Sequence, residues 1–156
     1  MVGVDPVEER RALARAMGAT AVLDPGASET GAALGRMGGE EGFDVVLEMS
    51  GNPEALRTGL CAVRHGGDVA LLGLPNGPIT LDLGERVIMK GLTLRGITGR
   101  RLWETWFAAS RLVATGQADL GRIVTHRFPL ERMDEAFEAA RSGHSGKVLI
   151  EIAPNP

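Results

Sequence analysis

Phe43-Asp-Val-Val-Leu-Glu-Met-Ser-Gly-Asn-Pro53 holds three structural signals in succession. Phe43–Met49 is a nearly continuous apolar run, the pattern of a strand buried on both faces of a parallel sheet. Ser50-Gly51 follows as a turn. Asn52-Pro53 is a cap residue ahead of the residue best suited to the first helical position, and it opens a helix through about Val63. Gly66-Gly67 then feeds a second apolar run, Asp68–Gly73, read as the next strand.

The same alternation extends both ways. Toward the N-terminus, Met1–Asp5 reads as a short strand and Pro6–Met17 as a helix, with Asp5 as cap, Glu8 in the capping-box position and Gly18 as the stop. Thr20–Asp24 is a further strand. Ser28–Met37 is a helix whose propensity Gly31 and Gly35 weaken. Toward the C-terminus, Pro75–Pro78 is a turn, Ile79–Leu83 an extended piece, Leu83–Lys90 a short helix and Leu92–Ile97 a strand. Leu102–Thr115 is a helix with Trp103, Trp106, Phe107 and Ser110 on one face. Arg122–Phe128, Leu130–Arg141 and Lys147–Ile152 then read as strand, helix and strand, with Met133, Ala136, Phe137 and Ala140 as the helix's apolar stripe. Strands alternating with helices across short glycine-rich links predict an α/β domain on a parallel sheet, closed by a β-α-β tail. A boundary is expected near Gly121, where strict alternation gives way to that tail.

Composition narrows the function. A length of 156 residues fits one domain of ordinary size. A net charge of −3 argues against a nucleic-acid partner, which calls for a basic face. No stretch approaches the roughly 18 apolar residues of a membrane span, and Met1-Val-Gly-Val-Asp-Pro6 lacks the features of a signal peptide, so a cytoplasmic protein is expected. Cys61 is the single cysteine, which excludes an intramolecular disulfide and any multi-cysteine zinc site. With no tyrosine, no mechanism can use a catalytic phenol.

Asp5 is the most suggestive candidate. An acid at the end of the second strand of a doubly wound sheet binds the adenosine ribose of NAD. By pattern alone, capping of the next helix is the commoner role for an Asp before Pro. The phosphate-binding G-x-G-x-x-G does not occur, since no two of the 22 glycines are spaced as G-x-G. Ser142-Gly-His-Ser-Gly-Lys147 has the wrong glycine spacing for a phosphate loop and reads as a turn. Cys61 and His65 could share a helix face, yet no third zinc ligand accompanies them. Cys61 reads as a small buried hydrophobe and His65 as a helix end. His126 reads as structural, Trp103 and Trp106 as core or interface anchors, and Arg95, Arg100 and Arg101 as a solvated edge.

Taken with the opening stretch, further strings carry a resemblance. They are Leu71-Leu-Gly-Leu-Pro75, Met89-Lys-Gly-Leu-Thr-Leu-Arg-Gly-Ile-Thr-Gly99, Arg100-Arg-Leu-Trp-Glu-Thr-Trp106, Thr125-His-Arg-Phe-Pro-Leu130 and Arg141-Ser-Gly-His-Ser-Gly-Lys147. In this order and spacing they resemble the C-terminal half of the zinc-containing medium-chain alcohol dehydrogenases, and within them the branch acting on threonine. The likeness runs from about Val2 to Ile152. It implies a truncated doubly wound, Rossmann-like sheet, with residues 1–121 as the NAD-binding domain lacking its first βα unit and 122–156 as a segment of the catalytic domain.

The resemblance also implies particular contacts. Asp5 matches the acid on the adenosine ribose, which raises that role above capping, although both can hold at once. Arg10 matches the arginine beside the adenosine. Leu72, Gly73 and Leu74 match the loop along the nicotinamide ribose, and Ile97 and Thr98 the backbone at the nicotinamide end. The strand near Leu92–Gly96 matches an edge used for subunit pairing, so a homo-oligomer, tetrameric in the family, is implied. In that family zinc polarises the threonine hydroxyl and hydride passes to NAD, giving 2-amino-3-oxobutanoate. The family's zinc ligands, its proton-relay histidine and its glycine fingerprint all lie before the point matching Met1. No catalytic residue, no metal ligand and no activity of the chain alone are therefore expected. A polyol or butanediol dehydrogenase of the same superfamily, and a non-catalytic nucleotide-binding or oligomerisation module, are the other readings.

Overall fold

The computed structural model describes residues 1–99 and 101–152. By packing, these fall into two compact units, one of residues 1–27 with 101–152 and one of residues 28–99. All strand pairings are parallel, as the alternating pattern predicts, and they form three small sheets.

In the first unit, β1 (Val2–Val4) pairs with β2 (Ala21–Leu23) across α1 (Glu8–Ala16). The helix starts later than the sequence pattern suggests. Its N-cap residue is Val7, with no side-chain cap, and Asp5 Oδ1 instead accepts the Val7 N–H at 2.8 Å. Asp5 thus closes an Asx turn around Pro6. The chain returns to this unit as α4 (Glu104–Ala114), and β6 (Val124–Pro129) pairs with β7 (Lys147–Glu151) across α5 (Met133–Arg141). This is the expected β-α-β tail. Of the apolar stripe on α5, Ala136 alone is buried, while Met133, Phe137 and Ala140 stay exposed. Trp103, Trp106 and Phe107 are likewise exposed and form no core. The tail meets α1 through Arg122, which donates to the Ala16 carbonyl at 3.0 Å, and through His144, whose Nδ1 lies 3.2 Å from Glu9 Oε1.

The second unit places the site. It comprises α2 (Thr30–Gly38), β3 (Phe43–Glu48), α3 (Pro53–Ala62), β4 (Val63–Leu71) and β5 (Thr93–Gly96), with strand order β3-β4-β5. Asn52 caps α3 as its sequence signal predicts, accepting from the Glu54 and Ala55 N–H groups at 2.8 and 3.2 Å. Leu56, Leu60, Val63 and Val69 form the core, with Val46, Leu71 and Ile79 packed against them. Burying each such side chain stabilises the unit by about 1.5–3 kcal/mol.

Four expectations are corrected in this unit. β3 is buried on one face only. Glu48 is buried and Val46 packs on the core, but Val45, Leu47 and Met49 are exposed because no element of the unit covers them. β4 begins at Val63 rather than Asp68, so His65 lies in a strand and does not end a helix. Cys61 is exposed, not a buried hydrophobe, and Arg86 donates to its Sγ at 2.6 Å. The short helix expected at Leu83–Lys90 is a single π turn over Gly84–Ile88. No helix among the described residues is long and apolar enough to cross a membrane.

Candidate functional site

The three parallel strands of the second unit end in one row. Glu48 of β3 is paired with Leu71 of β4, and Leu71 with Gly96 of β5. In open α/β sheets, ligands bind in the crevice beyond these carboxyl ends. A cleft of about 450 Å³ opens there. That volume is within the range of roughly 300–1,000 Å³ usual for small-molecule sites.

Leu72, Gly73 and Leu74 form one wall, and Ile97 and Thr98 another. Leu56 and Ile79 give it an apolar floor continuous with the core. The structure therefore brings five of the sequence-nominated residues to one cleft. Hydrogen bonds across the strand ends fix the walls. The Leu72 and Gly73 N–H groups donate to the Glu48 carbonyl at 2.9 and 3.2 Å, and the Ile97 N–H donates to the Leu71 carbonyl at 2.9 Å.

Gly73 is required by close backbone approach. A Cβ there would lie 2.0 Å from the Gly51 nitrogen. Gly51 itself has φ +71° and would place a Cβ 2.4 Å from the Leu74 carbonyl oxygen. Two bare backbones thus meet at the rim, leaving space where side chains would otherwise stand. A more polar hollow of about 290 Å³ shares Gly51, Asn52, Leu74 and Pro75 with the cleft.

Asp5 and Arg10 lie in the first unit. Asp5 is half-buried at the end of β1. Its Oδ1 serves the Val7 N–H, and its Oδ2 has no partner among the described residues. Arg10 is exposed on α1, without an ion pair among those residues. Its neighbour Arg11 is the packed one, donating to the Asp5 carbonyl at 2.6 Å and lying 3.2 Å from Asp24 Oδ2. Asp5 is thereby held at its N–H, its carbonyl and Oδ1, which leaves Oδ2 as its unengaged acceptor among the described residues.

The remaining candidates resolve as scaffolding. Ser142 and Ser145 both donate to the Ala139 carbonyl, so Ser142–Lys147 is a helix-ending turn. His126 sits 2.8 Å from Thr125 Oγ1 and stacks on Phe128. Arg95 lies 3.6 Å from Asp68 and Arg101 3.4 Å from Glu104, while Arg100 falls outside the described residues. Among the described residues, no three His, Cys, Asp or Glu side chains converge as a metal-ligand set. Glu48 and Gly51 are cleft residues that the sequence patterns missed. The available signal was an acid inside an apolar run, directly ahead of Ser-Gly.

A parallel α/β fold with a glycine-walled cleft at its strand ends is the architecture of a dinucleotide-type domain. The chain belongs to the zinc-binding dehydrogenase family, whose profile matches residues 1–115. It is 46% identical over 151 residues to an L-threonine 3-dehydrogenase of Symbiobacterium thermophilum, and 40% identical over 150 residues to one of Bacillus subtilis. Each match covers 96% of this chain and 43% of the relative, so the chain spans less than half the length of these relatives. Among solved structures, it is similar to benzyl alcohol dehydrogenase from Acinetobacter calcoaceticus, with a TM-score of 0.86 and 26% identity, over 97% of this chain and 42% of that one.

Proposed function

We propose that this chain supplies the cofactor-binding share of an NAD-dependent L-threonine 3-dehydrogenase working in the cytoplasm. The observation that carries the proposal is the cleft in which Leu72–Leu74 and Ile97–Thr98 converge beyond the row Glu48–Leu71–Gly96. Threonine as substrate is supported by relatives of that name at 40–46% identity, against 26% for the benzyl alcohol enzyme.

Residues 1–121 form the cofactor domain, and 122–156 belong with the catalytic domain. Leu72, Gly73 and Leu74 lie along the nicotinamide ribose, and the backbone of Ile97 and Thr98 meets the nicotinamide. Apolar Leu56 and Ile79 exclude water beneath it. Asp5 Oδ2 accepts from a hydroxyl of the adenosine ribose, and Arg10 lies beside the adenosine. The Asp5 carboxylate repels a phosphate on that ribose, favouring NAD over NADP. When bound, nicotinamide supplies hydride acceptance from the alcohol carbon. The exposed edge of β5 pairs with another copy in a homo-oligomer.

Zinc does not fit the described residues, which bring no three ligands together. The chain alone turns over no threonine. Calorimetry of the 156-residue chain with NAD and NADP tests the proposal. NAD is expected to bind the more tightly, and Asp5→Ala to narrow the difference. No heat with either cofactor at millimolar concentration overturns it.

A further inference from the structure

We infer that Glu48 is a positioning residue for the nicotinamide side of the cleft, clamping both of its glycine-bearing loops. The inference rests on the function proposed above and adds a residue to it.

Glu48 is 6% exposed, although it ends an otherwise apolar run. A carboxylate is costly to bury unless hydrogen bonds compensate. Here they come from its own turn. Oε1 accepts from the Ser50 N–H at 2.8 Å, the Ser50 hydroxyl at 2.5 Å and the Gly51 N–H at 3.0 Å. Oε2 takes the same Gly51 N–H at 3.1 Å. The side chain thus folds back and ties down Ser50-Gly51. Its main-chain carbonyl meanwhile accepts from Leu72 and Gly73. One residue therefore anchors the two segments that meet backbone to backbone at Gly51 and Gly73.

This geometry separates two roles. The main-chain carbonyl survives any substitution, so the Leu72–Gly73 anchor remains. The side-chain clamp is removable by itself. Without it, Ser50-Gly51 no longer presses on Gly73, and the wall over Leu72–Leu74 loses its fixed position. The adenosine side, at Asp5, makes no use of Glu48. Loss of the clamp should weaken one half of the cofactor and leave the other half untouched. A general loss of stability would weaken both.

The test is titration of the 156-residue chain with nicotinamide mononucleotide and, separately, adenosine monophosphate. Glu48→Gln keeps the side-chain shape but replaces one acceptor oxygen with a donor. It should bind the nicotinamide mononucleotide about tenfold more weakly, the scale of one lost charge-assisted hydrogen bond, with adenosine monophosphate affinity unchanged. Equal nicotinamide affinity in wild type and variant, or an equal loss of both ligands, overturns the inference. If Glu48→Gln loses its far-UV circular dichroism, Ser50→Ala carries the test. It removes one of the three donors and should give a several-fold loss confined to the nicotinamide ligand, and no change there overturns the inference. A wild-type chain that ignores nicotinamide mononucleotide overturns the proposed function itself, a result separable from the failure of the clamp.

Discussion

Gly73→Ala puts the backbone contact at the cleft rim under direct strain. The new Cβ would stand 2.0 Å from the Gly51 nitrogen and 2.6 Å from the Ser50 carbonyl carbon. Relief requires a backbone shift of more than about 1 Å on one side, because both obstacles are main chain and neither can rotate away. Overpacking of this kind costs about 1–3 kcal/mol or more. The shift also endangers the Gly73 N–H bond to the Glu48 carbonyl, about 0.5–1.5 kcal/mol. Reduced freedom of the unfolded chain offsets about 0.4–1 kcal/mol. The net is a loss of about 1–3 kcal/mol, or a fall in Tm of roughly 3–10 °C for a chain of this size. Gly77→Ala is the matched control on the same loop. A Cβ there meets nothing within 4 Å, and its φ is not left-handed, so Tm should hold or rise slightly. Thermal melts followed by far-UV circular dichroism compare the two. Equal melting of Gly73→Ala and Gly77→Ala would refute the steric account of the rim.

Other parts of the structure make separate forecasts. Leu60→Ala, at a fully buried position in the second unit, should cost about 2–5 kcal/mol by urea denaturation, and a loss under about 1 kcal/mol would deny Leu60 its place in the core. Lys90 donates to the carbonyls of Leu60 at 2.7 Å and Cys61 at 3.3 Å, and also to that of Val63. Burial holds its ammonium below the usual lysine range. Lys90→Met should cost about 1–3 kcal/mol by stranding those acceptors, and an unchanged urea midpoint would contradict the tie. Glu9 titrates below its ordinary 4.5 through a backbone hydrogen bond and then its bond to His144. Its folded value lies below its unfolded one, so its stabilisation is present above pH 4.5 and is lost as pH falls through the folded value. Glu9→Gln should lower the urea midpoint near neutrality and converge with wild type in strong acid, and a gap of constant size would contradict the pairing.

The strand–turn–helix at Phe43–Pro53 was legible because Asn and Pro act locally. The cap at Asn52 needs only the two N–H groups that follow it. The start of β4 was not legible, because Val63 becomes strand by pairing with Phe43, a partner twenty residues away. Cys61 reads as buried from the sequence yet is exposed, for a related reason. An apolar side chain is buried only if something covers it, and periodicity shows a face without showing its cover. Five cleft residues were legible only through family resemblance, since Leu72–Leu74 and Ile97–Thr98 carry no titratable group to mark them. Glu48 was hidden by its own turn. A carboxylate that takes its donors from Ser50 and Gly51, two and three residues on, leaves no distant partner to find.

The cofactor surface proposed for this chain is the pair of walls Leu72–Leu74 and Ile97–Thr98. Amide chemical-shift mapping of the 156-residue chain with NAD tests it most directly. Shifts are expected at Leu72, Gly73, Leu74, Ile97 and Thr98, and independently around Asp5 and Arg10. An unperturbed spectrum at millimolar NAD, or shifts confined to other residues, would contradict it.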